Sequence, residues 1–199
     1  MPSLWTSDAI DDWRTALASY ESVISRQRGE ALPDVDRWYR LELPGLIIAR
    51  KRPHVTHAEL VKLTEWKMLR GIWRARNLEL VRGNDSALVV EKSGAALAAI
   101  PHPTSPIATL AELDGVGPAT ASAVAAAASP DVYPFFDELV SAQVPRLGTV
   151  AYTVAYYGRY ATALRERAAA LGGHWTPVMV ERALWAHVGG KAGKAALRA

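Results

Sequence analysis

An all-α fold is what this sequence predicts, and three observations predict it. Apolar residues return at helical spacing over long segments, most clearly at Val150, Val154, Tyr157, Ala161, Leu164, Ala168 and Leu171. Helix-start chemistry recurs along the chain, and glycine or proline closes the runs that follow it. The pattern leaves little or no room for sheet, and it divides into roughly nine helices.

Ser7 is placed to cap a first helix to about Arg28, with Ile10, Trp13, Leu17, Tyr20 and Ile24 as its apolar stripe and Gly29 and Pro33 beyond its end. Residues 34–53 carry mixed signals. Trp38-Tyr39 suits a short helix, and Leu43-Pro44-Gly45-Leu46-Ile47-Ile48 suits a turn and an extended piece. Thr56-His57-Ala58-Glu59 is a capping box, in which threonine and the glutamate three residues on satisfy each other's free amides. It opens a helix to about Leu69 that Gly71 breaks. A further helix spans Trp73 to Val81, closed by Gly83-Asn84, and Asp85 or Ser86 opens another through Ile100. Pro101, Pro103 and Pro106 forbid continuous helix and make a loop. Helices follow from Ser105 to Leu113, from Pro118 to Ala128, from Asp137 to about Val144 and from Thr149 to Leu171. Gly172-Gly173 stop the last of these, and Thr176-Pro177 opens a final helix to about Val188.

The 199 residues suffice for one domain of two small lobes with a shared core. We expect lobe A to combine about 1–55 with 172–188, and lobe B to span about 56–171, with 189–199 as a flexible tail. Cysteine is absent, which excludes disulfides, thiolate zinc sites and iron–sulfur clusters. Met1 to Asp12 is polar and acidic, and no uncharged apolar run reaches membrane-spanning length. A cytoplasmic protein with no membrane partner is the expectation, nucleoid-associated if the source is bacterial. The net charge of +3 is only mildly basic, but Arg50-Lys51-Arg52, Lys67, Arg70, Arg74, Arg76 and Arg82 form local clusters suited to nucleic acid.

Chemistry concentrates at Leu113-Asp114-Gly115-Val116-Gly117-Pro118-Ala119-Thr120-Ala121. Two glycines permit a tight turn and a close backbone approach. Pro118 suits a first helical position, and the free amides of the helix it opens form an anion site. This stretch resembles the hairpin of the helix-hairpin-helix DNA glycosylase superfamily, the endonuclease III-like base-excision repair enzymes. The resemblance implies a catalytic aspartate at the start of the helix after the hairpin. Asp137, 18 residues beyond Ala119, fits, with Glu138 as the fallback. It implies DNA contacts at Gly115, Val116, Gly117, Ala119 and Thr120. It also implies a potassium or sodium ion on the carbonyls of Ala111, Leu113 and Val116. No organic cofactor is expected. The lyases of the superfamily carry a lysine where this chain has Ala119, so the resemblance points to a monofunctional hydrolase without lyase activity. Asp114 stands where most members have proline.

A second stretch, from Glu65 to Arg76, alternates aromatic and basic residues. Together with Trp175-Thr176-Pro177, Glu181-Arg182-Ala183-Leu184-Trp185 and the hairpin, it is similar to a divergent, little-characterised branch of the same superfamily. Lys67, Arg70 and Arg74 would pair phosphates, and Trp66 and Trp73 would line the base pocket. The competing reading makes the tryptophans core and the arginines solvated. Lys67 also raises a variant in which an amine from another helix replaces the missing lysine. The expected function is hydrolysis of the N-glycosidic bond of a flipped base in double-stranded DNA by a monomer. A non-catalytic DNA-binding protein of the same fold and a helical interaction module are the alternatives.

Overall fold

A computed structural model describes residues 3–27 and 29–191. It is all-helical, and no strand occurs among the described residues. After a 3₁₀ turn at Leu4–Thr6 come α1 (Ile10–Ala18) and α2 (Tyr20–Ser25). The single helix expected here is therefore two. Ser19 parts them, its hydroxyl donating back to the Ala16 carbonyl at 2.7 Å, a bond that competes with the helical ladder. The expected end at Arg28 lies outside the described residues.

Residues 32–48 are helical throughout: α3 (Leu32–Arg37), one π turn (Trp38–Glu42) and α4 (Leu43–Ile48). The extended piece expected at Leu43–Ile48 is thus a helix. Pro44 does not break it, because it sits in the first turn of α4, where no amide is needed. The Leu43 amide reaches back to the Trp38 carbonyl across the wider π turn.

The capping box forms as read, with Thr56 Oγ1 accepting from the Glu59 amide and Glu59 accepting from the Thr56 amide, and it starts α5 (His57–Arg70). Then come α6 (Ala75–Gly83), α7 (Ser86–Ala98), capped by Asp85, and α8 (Ser105–Leu110). A glycine turn leads to α9 (Pro118–Ala128), which is followed by α10 (Glu138–Ser141), α11 (Val154–Leu171) and α12 (Pro177–His187). Helix α11 starts five residues later than expected, because Thr153 rather than Thr149 supplies the cap to the Tyr156 amide. Residues 192–199 of the expected tail lie outside the described residues.

One continuous hydrophobic cluster runs through the molecule. Helices α1, α2 and α11 pack on α12, while α9 packs against α4, α5 and α8. Trp13, Trp66 and Trp185 are fully buried within it. Asp36 of α3 is buried too, and it accepts from Tyr20 Oη, Trp66 Nε1 and Arg40 Nε at 2.7–2.9 Å, which ties α2, α3 and α5 together. No helix among the described residues is long and apolar enough to cross a membrane. This packing brings the C-terminal end of α5, the start of α9 and the start of α10 to the edges of one cleft.

Candidate functional site

The cleft has a volume of about 680 Å³. Helix α5 delivers Lys67 and Arg70 to it, the following segment delivers Ile72 and Arg74, and the head of α9 delivers Gly117 and Ala119. The residues before and within α10 add Phe136, Asp137 and Glu138.

The turn between α8 and α9 explains which hairpin residues reach this space. Gly115 has φ +74 and presses on α6: a Cβ there would lie 2.5 Å from the Asn77 carbonyl oxygen and 2.8 Å from Leu80 Cβ. Only glycine fits such a turn. Asn84 clamps the same turn, its Oδ1 accepting from the Asp114 amide and its Nδ2 donating to the Asp114 carbonyl, both at 2.9 Å. The Val116 side chain is buried and its amide donates to the Leu113 carbonyl at 3.1 Å. The Val116 and Thr120 side chains are therefore packed inside, which corrects the direct contacts expected of them, while Gly115 is held against α6. Gly117 is open, with nothing within 4 Å of a Cβ, and no side chain caps α9. Its first-turn amides are left for an anion. Of the three carbonyls expected to hold a monovalent ion, that of Leu113 accepts the Val116 amide. Among the described residues no group of three His, Cys, Asp or Glu could hold a metal.

Two residues of the basic–aromatic stretch face inward. Trp66 stacks on Tyr39 with ring centroids 3.6 Å apart and donates to Asp36, so it belongs to the core and not to a base pocket. Arg70 is 2 % exposed, pairs with Glu181, receives the Trp185 ring at 4.4 Å and donates to Tyr20 Oη at 3.3 Å. It forms part of the cleft floor and is spent on internal partners, which corrects its expected phosphate contact. Trp73 is 51 % exposed and lies outside the cleft lining, beside Ile72 and Arg74, which are part of it. The aromatic walls are instead Phe135, Phe136 and Tyr152, with Phe136 and Tyr152 rings 5.4 Å apart. Phe135 and Phe136 directly precede Asp137 in the chain, and Tyr152 comes from the segment just before α11.

Asp137 is the N-cap of α10: its Oδ1 accepts from the Leu139 amide at 2.7 Å and the Val140 amide at 3.4 Å. Its Oδ2 faces Arg70 Nε at 3.6 Å, and that Nε has no hydrogen-bond partner. Burial raises the Asp137 carboxyl above the usual range and outweighs the opposing pull of Arg70 and the two amides. The helix terminus alone favours the anion; desolvation reverses the balance. Burial likewise pushes Glu181 up to about 7 despite Arg70.

Lys67 extends into the cleft and donates from Nζ to Thr120 Oγ1 at 3.1 Å. Burial, and then the neighbouring Arg74 cation, pushes its ammonium down to about 8. Other basic residues of the sequence clusters serve the surface: Arg50 pairs with Glu59 and Arg82 with Glu65. Lys191, at the end of the described chain, lines the cleft and donates to the Gly71 carbonyl.

No family model, curated protein or solved structure matches this chain.

Proposed function

We propose that the cleft binds DNA and hydrolyses the N-glycosidic bond of a base turned out of the duplex. One observation carries this reading: an uncapped helix start, the basic side chains Lys67, Arg70, Arg74 and Lys191 and one nearly buried carboxylate converge on a single open, aromatic-walled space. The amides at the head of α9 and the Arg74 guanidinium suit the phosphates flanking the base. Tyr152, half exposed at the cleft, offers stacking surface for the base itself, and the buried Phe136 ring backs it at 5.4 Å.

Asp137 is the group for the chemistry. As the C1′–N bond breaks, its electron pair leaves with the base and positive charge develops on the sugar. A carboxylate fixed by two amides and an arginine is preorganised to stabilise that charge. Its raised proton affinity also suits it to take a proton from the water that adds to C1′. A Cβ at Gly117 would meet nothing within 4 Å, so a ligand can approach the backbone closely there.

A second reading, DNA binding without catalysis, is favoured by the same carboxylate, since Oδ1 is engaged as a helix cap and Asp137 is only 7 % exposed. A panel of duplexes with damaged or mispaired bases separates the two. The hydrolytic reading expects abasic-site formation on at least one duplex, reduced at least a hundredfold in Asp137→Asn with binding retained. Salt-dependent binding with no base release on any member supports the non-catalytic reading, and absence of duplex binding ends both.

A further inference from the structure

Glu181 is a buried acid that the hydrolytic reading does not use. It lies in α12, and its Oε1 accepts from Arg70 Nη2. The same guanidinium donates from Nη1 to Tyr20 Oη at 3.3 Å, and Tyr20 Oη donates in turn to Asp36. The third nitrogen, Nε, is 3.6 Å from Asp137 Oδ2, beyond hydrogen-bond reach, and has no partner of its own. One cation thus stands between two carboxylates, closed on one and short of the other. The rings of Tyr20, Trp66, Phe135 and Trp185 surround it, with centroids 4.4–5.7 Å from its central carbon. Charges in such a dry enclosure are poorly screened and act strongly on one another.

We propose that Glu181 is a positioning residue for Asp137 and acts through Arg70: ionised, it holds the guanidinium on the α12 side, and neutral, it lets the guanidinium close on Asp137. The inference rests on the hydrolytic reading for its use, since Asp137 is the group served; the coupling itself belongs to the free protein. Glu181 is faced from α12 by Arg182, from α11 by Tyr160, from α2 by Tyr20 and from the π turn by Tyr39. Burial makes all three phenols weaker acids, so they keep their protons, and arginines stay charged throughout. Helix α1 and the 3₁₀ turn, also packed on α12, bury only Trp13, Ala16 and Leu4. Asp36 acts on Arg70, and Glu138 acts on Asp137. Glu181, pushed up to about 7 by burial, is the neighbour of Arg70 that changes charge near neutrality. As pH rises through that value, Glu181 draws the guanidinium to itself and Asp137 holds a proton more tightly.

Carbon-13 NMR titration of the side-chain carboxyls tests this on the full-length protein without DNA. Glu181→Gln keeps the shape and removes the charge. The Asp137 midpoint, assigned by its loss in Asp137→Asn, should fall by at least about one pH unit, a tenfold gain in acidity. Glu181→Asp restores a carboxylate and should bring the midpoint back towards its original value. Coupling is reciprocal, so the Glu181 midpoint should fall by a comparable amount in Asp137→Asn. That second measurement decides the matter if Glu181→Gln does not fold. Midpoints that stay where they are in the folded variants overturn the inference. Base release is read separately: the acidic limb of its rate against pH should move down with the Asp137 midpoint in Glu181→Gln. A limb that stays put while the midpoint moves overturns the positioning role. No base release from any duplex ends the hydrolytic reading and leaves the coupling between the carboxylates standing.

Discussion

The floor and the lip of the cleft come from one short stretch of chain and obey opposite rules. Trp66 and Arg70, one helical turn apart on α5, point into the molecule, where each is tied to named partners. Lys67, one residue from Trp66, and Ile72, Trp73 and Arg74, just past the helix end, point out. At the floor, charge is buried, paired and costly to disturb. At the lip, Arg74 is exposed and Lys67 is part-buried with no carboxylate partner, so removing the Arg74 charge costs the fold little and takes with it only what it offers a ligand. Aromatic and basic residue types alone do not separate the two; the direction each takes from the helix does.

The sharpest way to break this contrast is Glu181→Ala, which strands the buried Arg70 guanidinium. We expect a loss of about 3–5 kcal/mol by denaturant unfolding, and a loss under about 1 kcal/mol would mean that the floor behaves like surface. The same pair has a pH signature. Glu181 holds its proton up to about pH 7 in the folded protein, against 4.5 as its ordinary value, so the folded state binds more protons across that window. Stability should therefore fall as pH rises from 4.5 towards 7, and Glu181→Gln should flatten that slope in a series of melting curves.

Gly115→Ala comes next. A methyl group 2.5 Å from the Asn77 carbonyl, at φ +74, cannot be housed without moving the turn from α6. A destabilisation of about 2–3 kcal/mol is expected, together with weaker duplex binding, since the head of α9 moves with the turn. At the lip, Arg74→Ala should shift stability by less than about 0.5 kcal/mol. Its effect should appear in binding instead, as a log Kd against log salt slope shallower by about one, measured by fluorescence anisotropy. An unfolding penalty comparable to that of Glu181→Ala would erase the distinction between floor and lip.

Much of the fold was legible in the sequence because its signals are local. Thr56 with Glu59, Asp85, Asp137 and Thr176 each satisfy amides two or three residues ahead, and each starts a helix where it was read. The convergence of Lys67, Arg74, Gly117, Ala119 and Asp137 was legible only in part, as residues worth watching. What was not legible depends on distant partners. Arg70 is buried because Glu181, 111 residues away, meets it there. Thr120 is covered because α5 packs on α9, and Gly115 is committed to α6 by a clamp from Asn84 that no spacing announces. Pro44 misled for a different reason: proline signals a break, yet in a first turn it signals a beginning.

That clamp also governs how the mouth can widen. Helix α6 starts directly after Arg74 and is bolted to the glycine turn at its far end by Asn84 and the Gly115 contact. Turn, helix and basic lip thus travel as one jaw. Between the two helix ends lie residues 71–74, and the Gly71 amide still donates to the Lys67 carbonyl, so this short link ties the width of the mouth to the end of α5.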